Sequence, residues 1–260
     1  MEVAGLHLLQ TLALVGSPRR SAIARLDEAG RLLGLELVDG DDEIVAALPS
    51  SAATLAVDAP LAVPNDASQR DVERVLAWCD APAFPASRRR LEQVHGGQRG
   101  VTLAPRLAAG RRVVETLPGH VLRQLVWERE HPRGAPPLGL ALYRRAWLGV
   151  RAPEYRPKGR GRAKPAGLAA AHGLLAEVLD LAGWTPEPEP DDWAALHDAA
   201  RLDALACAYL AWRLEREGER GTVAIGNPER GLIVLPADAN LRNRVAVNLE
   251  RLRDEGAVHI

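Results

Sequence analysis

Three carboxylates stand in apolar settings along the chain. Asp58 closes an apolar run in LAVDAPLAVPN, residues 55–65, and Pro60 and Pro64 follow it. Glu115 repeats the pattern in VVETLP, with Pro118 three residues on. Asp203 lies in LHDAARLDALACAYLAWRLERE, where helical spacing surrounds it with Ala199, Ala206, Cys207 and Leu210. A buried carboxylate without a partner is costly. A basic side chain would satisfy it, and so would a divalent cation shared between carboxylates, because hard cations such as Mg²⁺ and Mn²⁺ take oxygen ligands. For Asp58 the plainer reading is an aspartate that starts a turn. The stronger one places it at the carboxyl edge of an open sheet, where ligands meet α/β proteins. The prolines, lacking an N–H donor, would stop the strand and stiffen its exit.

The cations are concentrated elsewhere. Arg156–Lys164, RPKGRGRAK, carries five basic residues and two glycines in nine positions. Such a segment suits phosphate contact through Arg156, Lys158, Arg160, Arg162 and Lys164, or an ordinary solvated loop. It holds no aromatic platform for bases, although Tyr155 precedes it. No phosphate-cradling glycine loop and no GxSxG nucleophile motif occurs.

The composition excludes little more. The 260 residues are 47% hydrophobic and 26% charged, with a formal net charge of -1, so any nucleic-acid surface has to be local. Cys79 and Cys207 have neither zinc nor disulfide spacing, which fits a reducing cytoplasm. VAGLHLLQTLALVG, residues 3–16, reads as strand material, with a signal-peptide core as the alternative. It is too short to span a bilayer as a helix.

The elements that would position the acids follow from pattern. Ser21–Leu26 and Leu32–Val38 flank DEAG as a hairpin. Asp41–Leu48 reads as a helix and ATLAVDA as a buried strand. Residues 65–78 have helical spacing, and Pro82–Gly100 reads as a basic loop. Arg111–Glu115 is a short strand, GHVLRQLVW a helix, and 131–167 a Pro-, Gly- and Arg-rich stretch. Helices over 167–182 and 192–218, a closing strand GLIVLP and an amphipathic helix over 240–254 complete the chain. Together they predict a single α/β domain, with an insertion at about 82–167 and a C-terminal helical extension at about 239–256.

In order, the segments GSPRRSAIARLDEAGRL, LAVDAPLAVPN, FPASRR, VVETLPGHVL, RPKGRGRAK, LDALACAYLAW and GLIVLP run from Gly16 to Pro236 and carry a likeness over roughly residues 11–236. They resemble a prokaryotic family of unknown function catalogued as predicted nucleases with a ribonuclease H-like fold. The resemblance implies a mixed five-stranded sheet whose first three strands are antiparallel, flanked by helices. It implies an acidic cluster of Asp58, Glu115 and Asp203, and phosphate contact by Lys158. That cluster would hold Mg²⁺ or Mn²⁺ for two-metal phosphodiester hydrolysis of a nucleic acid. This sequence departs from such folds in one respect: the aspartate expected in the first strand falls at Ala13 in one register and at His7 in the other. The rival expectation is a catalytically silent protein of the same fold that binds nucleic acid or a protein partner.

Overall fold

In a computed structural model, described over residues 1–10, 20–81, 83–156 and 164–254, the strands form one seven-stranded sheet. Strands β1 (Glu2–His7), β2 (Ser21–Leu26) and β3 (Leu32–Val38) pair antiparallel. The β2–β3 turn is set by Asp27, whose carboxylate accepts the N–H groups of Ala29 and Arg31, and by Gly30 at φ 81°. Strand β4 (Ala52–Val57) runs parallel to β1, and β5 (Arg112–Glu115) parallel to β4. The far edge is a hairpin of β6 (Thr222–Asn227) and β7 (Gly231–Pro236), with β7 parallel to β5. The order is β3-β2-β1-β4-β5-β7-β6.

The sheet is therefore mixed and flanked by helices as expected, but it has seven strands where five were expected. Strand β6 escaped the sequence reading because TVAIGN has no sustained apolar alternation and gains its place by pairing with β7. The segment 82–167 is no peripheral insertion either: it supplies β5 and α5 (Pro118–Glu130) to the body of the fold. It also holds α3 (Arg88–His95), within the stretch expected as a basic loop, and α4 (Arg99–Leu107) and α6 (Leu140–Gly149), which the sequence pattern did not assign. Helix α3 starts at Ser87, whose hydroxyl accepts the Arg90 N–H, and ends at left-handed Gly96.

Two helical layers cover the sheet. On one face lie α1 (Asp41–Ala47), α4, α2 (Asp71–Trp78) and α9 (Ala239–Asp254). On the other lie α5, α7 (Pro165–Ala176) and α8 (Asp192–Glu217). Helix α8 is the organiser: Ala204, Ala208 and Ala211 are fully buried and let it settle onto β1 and β2. Among the described residues, no helix is long and apolar enough to cross a membrane.

Candidate metal centre

In the parallel β1–β4 pair Leu6 stands opposite Val57, so one residue on His7 and Asp58 meet at the carboxyl edge. Gly5 faces α8, and His7, two residues further along the strand, faces the same way. A Cβ at Gly5 would lie 2.1 Å from the Ala208 nitrogen and 2.2 Å from the Ala204 carbonyl oxygen. Only glycine permits this approach, and it brings the preceding helical residue, Asp203, over His7.

His7 Nδ1 lies 2.6 Å from Asp58 Oδ2 and 3.5 Å from Asp203 Oδ2. The other Asp58 oxygen accepts the Leu8 N–H at 2.8 Å. One potential ligand atom from each of His7, Asp58 and Asp203 lies within 4.8 Å of the others. Asp203 has two further partners. The Tyr155 hydroxyl donates to its Oδ1, and Arg156 reaches the same oxygen with Nε at 3.1 Å and a terminal nitrogen at 2.5 Å.

These neighbours set the protonation states. Burial opposes charging His7, but the adjacent Asp58 and Asp203 carboxylates outweigh it and raise its pKa above 6.5. Burial likewise works against ionising Asp58, yet His7, Arg156 and the Leu8 N–H hold it below the usual carboxylate range. Burial and the Asp203 charge push the Tyr155 hydroxyl well above 10, so it remains a donor. Cys207 sits beside the same acids, and burial with their charge keeps its thiol protonated.

Of the expected acidic trio, Asp58 and Asp203 come together and Glu115 does not. Glu115 stands in register with Val57, one residue short of Asp58, and therefore points to the opposite face of the sheet from α8. There Arg70 (1% exposed) grips both its oxygens at 2.8 and 2.6 Å, and the Leu61 N–H adds a contact at 3.3 Å. Burial is the largest influence on Glu115 and raises its pKa, against the pull of Arg70. Arg70 also binds Glu73 and the Ala62 carbonyl. Glu115 thus anchors the loop that leaves Asp58 and stands apart from the cluster of His7, Asp58 and Asp203.

The first-strand position is occupied by His7. The alternative, Ala13, and three of the predicted phosphate contacts, Lys158, Arg160 and Arg162, lie outside the described residues. Lys164 pairs with Glu154 at 2.8 Å on the surface. Arg156 is the one member of the basic segment seen at the cluster among the described residues, and it pairs with an acid there.

The cluster opens into a cleft with two lobes. One, of about 400 Å³, runs from Asp58 and Arg156 to Leu117, Gly119 and His120 at the start of α5. The other, of about 360 Å³, includes His7, Gln10, Asp58, Phe84 and Arg156. Asp58, Phe84 and Arg156 belong to both. The roles of Arg70 and Tyr155 had no sequence signal beyond their being capable of charge and hydrogen bonding.

A family model described as "Protein of unknown function (DUF429)" matches residues 16–230, and the chain belongs to that family. No curated protein and no solved structure matches it.

Proposed function

We propose that this protein hydrolyses phosphodiester bonds in nucleic acid with the help of a divalent cation held by His7, Asp58 and Asp203. The observation that carries this reading is the placement of the His7 Nδ1 atom against both carboxylates at the mouth of an open cleft. The donor set fits a cation. Two carboxylates and one imidazole, already neighboured by the positive Arg156, form a site that accommodates positive charge. With Glu115 facing the other side of the sheet, the ligands suit one ion rather than the expected pair. An imidazole nitrogen favours Mn²⁺ over Mg²⁺.

A cation at this position supplies a water of lowered pKa and charge for the developing oxyanion. The protein's own groups supply the rest. The Leu8 N–H and the loop anchored by Glu115 and Arg70 fix Asp58. Arg156, half exposed in the cleft, is placed to exchange Asp203 for a substrate phosphate. The start of α5 faces the same lobe and favours anionic ligands. The order β3-β2-β1-β4-β5, with β1 to β3 antiparallel, supports the ribonuclease H-like reading.

Incubation of labelled single- and double-stranded DNA and RNA with Mn²⁺ tests the proposal. Metal-dependent cleavage lost in both His7→Ala and Asp58→Asn is expected. Failure to bind Mn²⁺ would sink it. One observation favours a second reading, a catalytically silent nucleic-acid-binding protein: Asp203 Oδ1 is already taken by Tyr155 and Arg156. In that case strands bind, and Mn²⁺ changes neither binding nor stability.

A further inference from the structure

The lobe beside His7 carries two features that a cation site does not use. Phe84 is 46% exposed and lines both lobes. The Arg90 guanidinium lies over its ring at 4.6 Å, and His95 meets it edge-on at 6.0 Å. A half-exposed phenylalanine held by two neighbours at the mouth of a cleft can serve as a stacking platform. The second feature is Gln10: both of its amide atoms are buried, and among the described residues neither has a hydrogen-bond partner. Leaving a buried amide unpaired is unfavourable, so such groups call for an explanation. A primary amide offers a donor and an acceptor side by side, the pattern that reads the edge of a nucleobase.

We infer that this lobe is a base pocket in which an unpaired nucleotide stacks on Phe84 and its edge meets the Gln10 amide once that side chain turns into the lobe. The inference rests on the nucleic-acid reading above and narrows its substrate to single-stranded or locally opened strands. The volume of about 360 Å³ lies within the range of small-ligand sites. A base inside a duplex has its faces covered by its neighbours and cannot occupy a cleft without leaving the stack. The charge is complementary, since Arg156 lines the pocket and a phosphate attached to the stacked nucleoside meets it next to the carboxylates.

The test is equilibrium binding of fluorescently labelled homopolymers, DNA and RNA in separate arms, and of a blunt duplex. It is done at one low salt concentration with EDTA present, so that no cleavage intervenes. Single strands of at least one sugar type are expected to bind roughly tenfold more tightly than the duplex. Phe84→Ala is expected to lose about tenfold in affinity, and Phe84→Trp to retain it. Gln10→Leu is expected to change the ranking of the homopolymers. Equal affinity for single strand and duplex, or wild-type affinity in Phe84→Ala, overturns the base pocket. The nuclease reading fails separately. Strand binding that depends on Phe84 but no Mn²⁺-dependent cleavage leaves the pocket standing without the activity. Cleavage indifferent to Phe84 and to strandedness leaves the activity without the pocket.

Discussion

Glu115 stands beside Val57 in the parallel β4–β5 pair, so the two acids that end these strands, Asp58 and Glu115, leave the sheet on opposite faces. Asp58 turns toward α8 and His7, whereas Glu115 turns toward Arg70. The two substitutions should therefore separate. Glu115→Gln removes a charge from a buried ion pair, and the expected loss of stability is about 3 kcal/mol, moderated because Glu73 still partners Arg70. Stabilisation by Mn²⁺ should survive. Asp58→Asn should do the reverse, abolishing a metal-dependent gain of about 2.7 kcal/mol at a hundred times the dissociation constant. Urea titrations with and without Mn²⁺ measure both, and loss of the metal response in Glu115→Gln would return that residue to the ligand set.

Arg156 occupies the carboxylate that the proposed cation would need. Its guanidinium contacts Asp203 Oδ1, while Asp203 Oδ2 faces His7. In Arg156→Gln, the apparent Mn²⁺ affinity is expected to rise by roughly tenfold, the worth of about 1.4 kcal/mol of charge competition. Affinity for nucleic acid should fall. Calorimetric titration of Mn²⁺ decides the matter, and weaker metal binding in the variant would mean that Arg156 holds Asp203 in place rather than occupying it.

His7 gives the site a pH dependence whose sign is fixed. Its folded pKa is raised above the unfolded value of 6.5 by Asp58 and Asp203, in spite of burial. Below 6.5 the imidazolium is present in both states, and its ion pairs contribute fully to stability. As pH rises from 6.5 through the folded pKa, the contribution is lost, with a slope of at most about 1.4 kcal/mol per pH unit for one proton. His7→Gln should lack this decline in metal-free melts. Mn²⁺ requires the neutral ring, so metal affinity should increase over the same interval. A metal-free stability that climbs from pH 6.5 upward in the wild type alone would contradict the raised pKa.

How far the sequence carried these conclusions depended on the kind of information each needed. Local pattern placed β2, β3, β4, β5, β7 and α8, and the small apolar neighbours of Asp203 told correctly that it points inward. The position of His7 was recognised as one of two registers. Choosing between them needed the β1–β4 pairing, which no local pattern encodes. Glu115 was misjudged because its strand-carboxylate-proline signature copies that of Asp58. Only the relative stagger of β4 and β5 shows that the two differ by one residue and hence by a face. Arg70 and Tyr155 were invisible as partners because the chain brings them in from 45 and 48 positions away.

The close approach of β1 to α8 supplies the final prediction. The site exists only because the helix backbone lies against Gly5, where an added methyl would meet backbone atoms at 2.1 and 2.2 Å that cannot swing aside. Gly5→Ala must push α8 away from β1, and Asp203 travels with α8 while His7 and Asp58 remain on the sheet. The helix is long and buried along most of its length, so overpacking here should cost about 1–3 kcal/mol or more. The loss at the site should be larger than the loss of fold, because a shift of about 1 Å is enough to separate a ligand set. The expected outcome is a folded protein by circular dichroism with a lowered Tm and no Mn²⁺-induced rise in Tm. Ala208→Gly in the same chain relieves neither contact, because both are made to backbone atoms, so it should fail to rescue the metal response. A Gly5→Ala protein that binds Mn²⁺ with wild-type affinity would show that Asp203 is dispensable to the site.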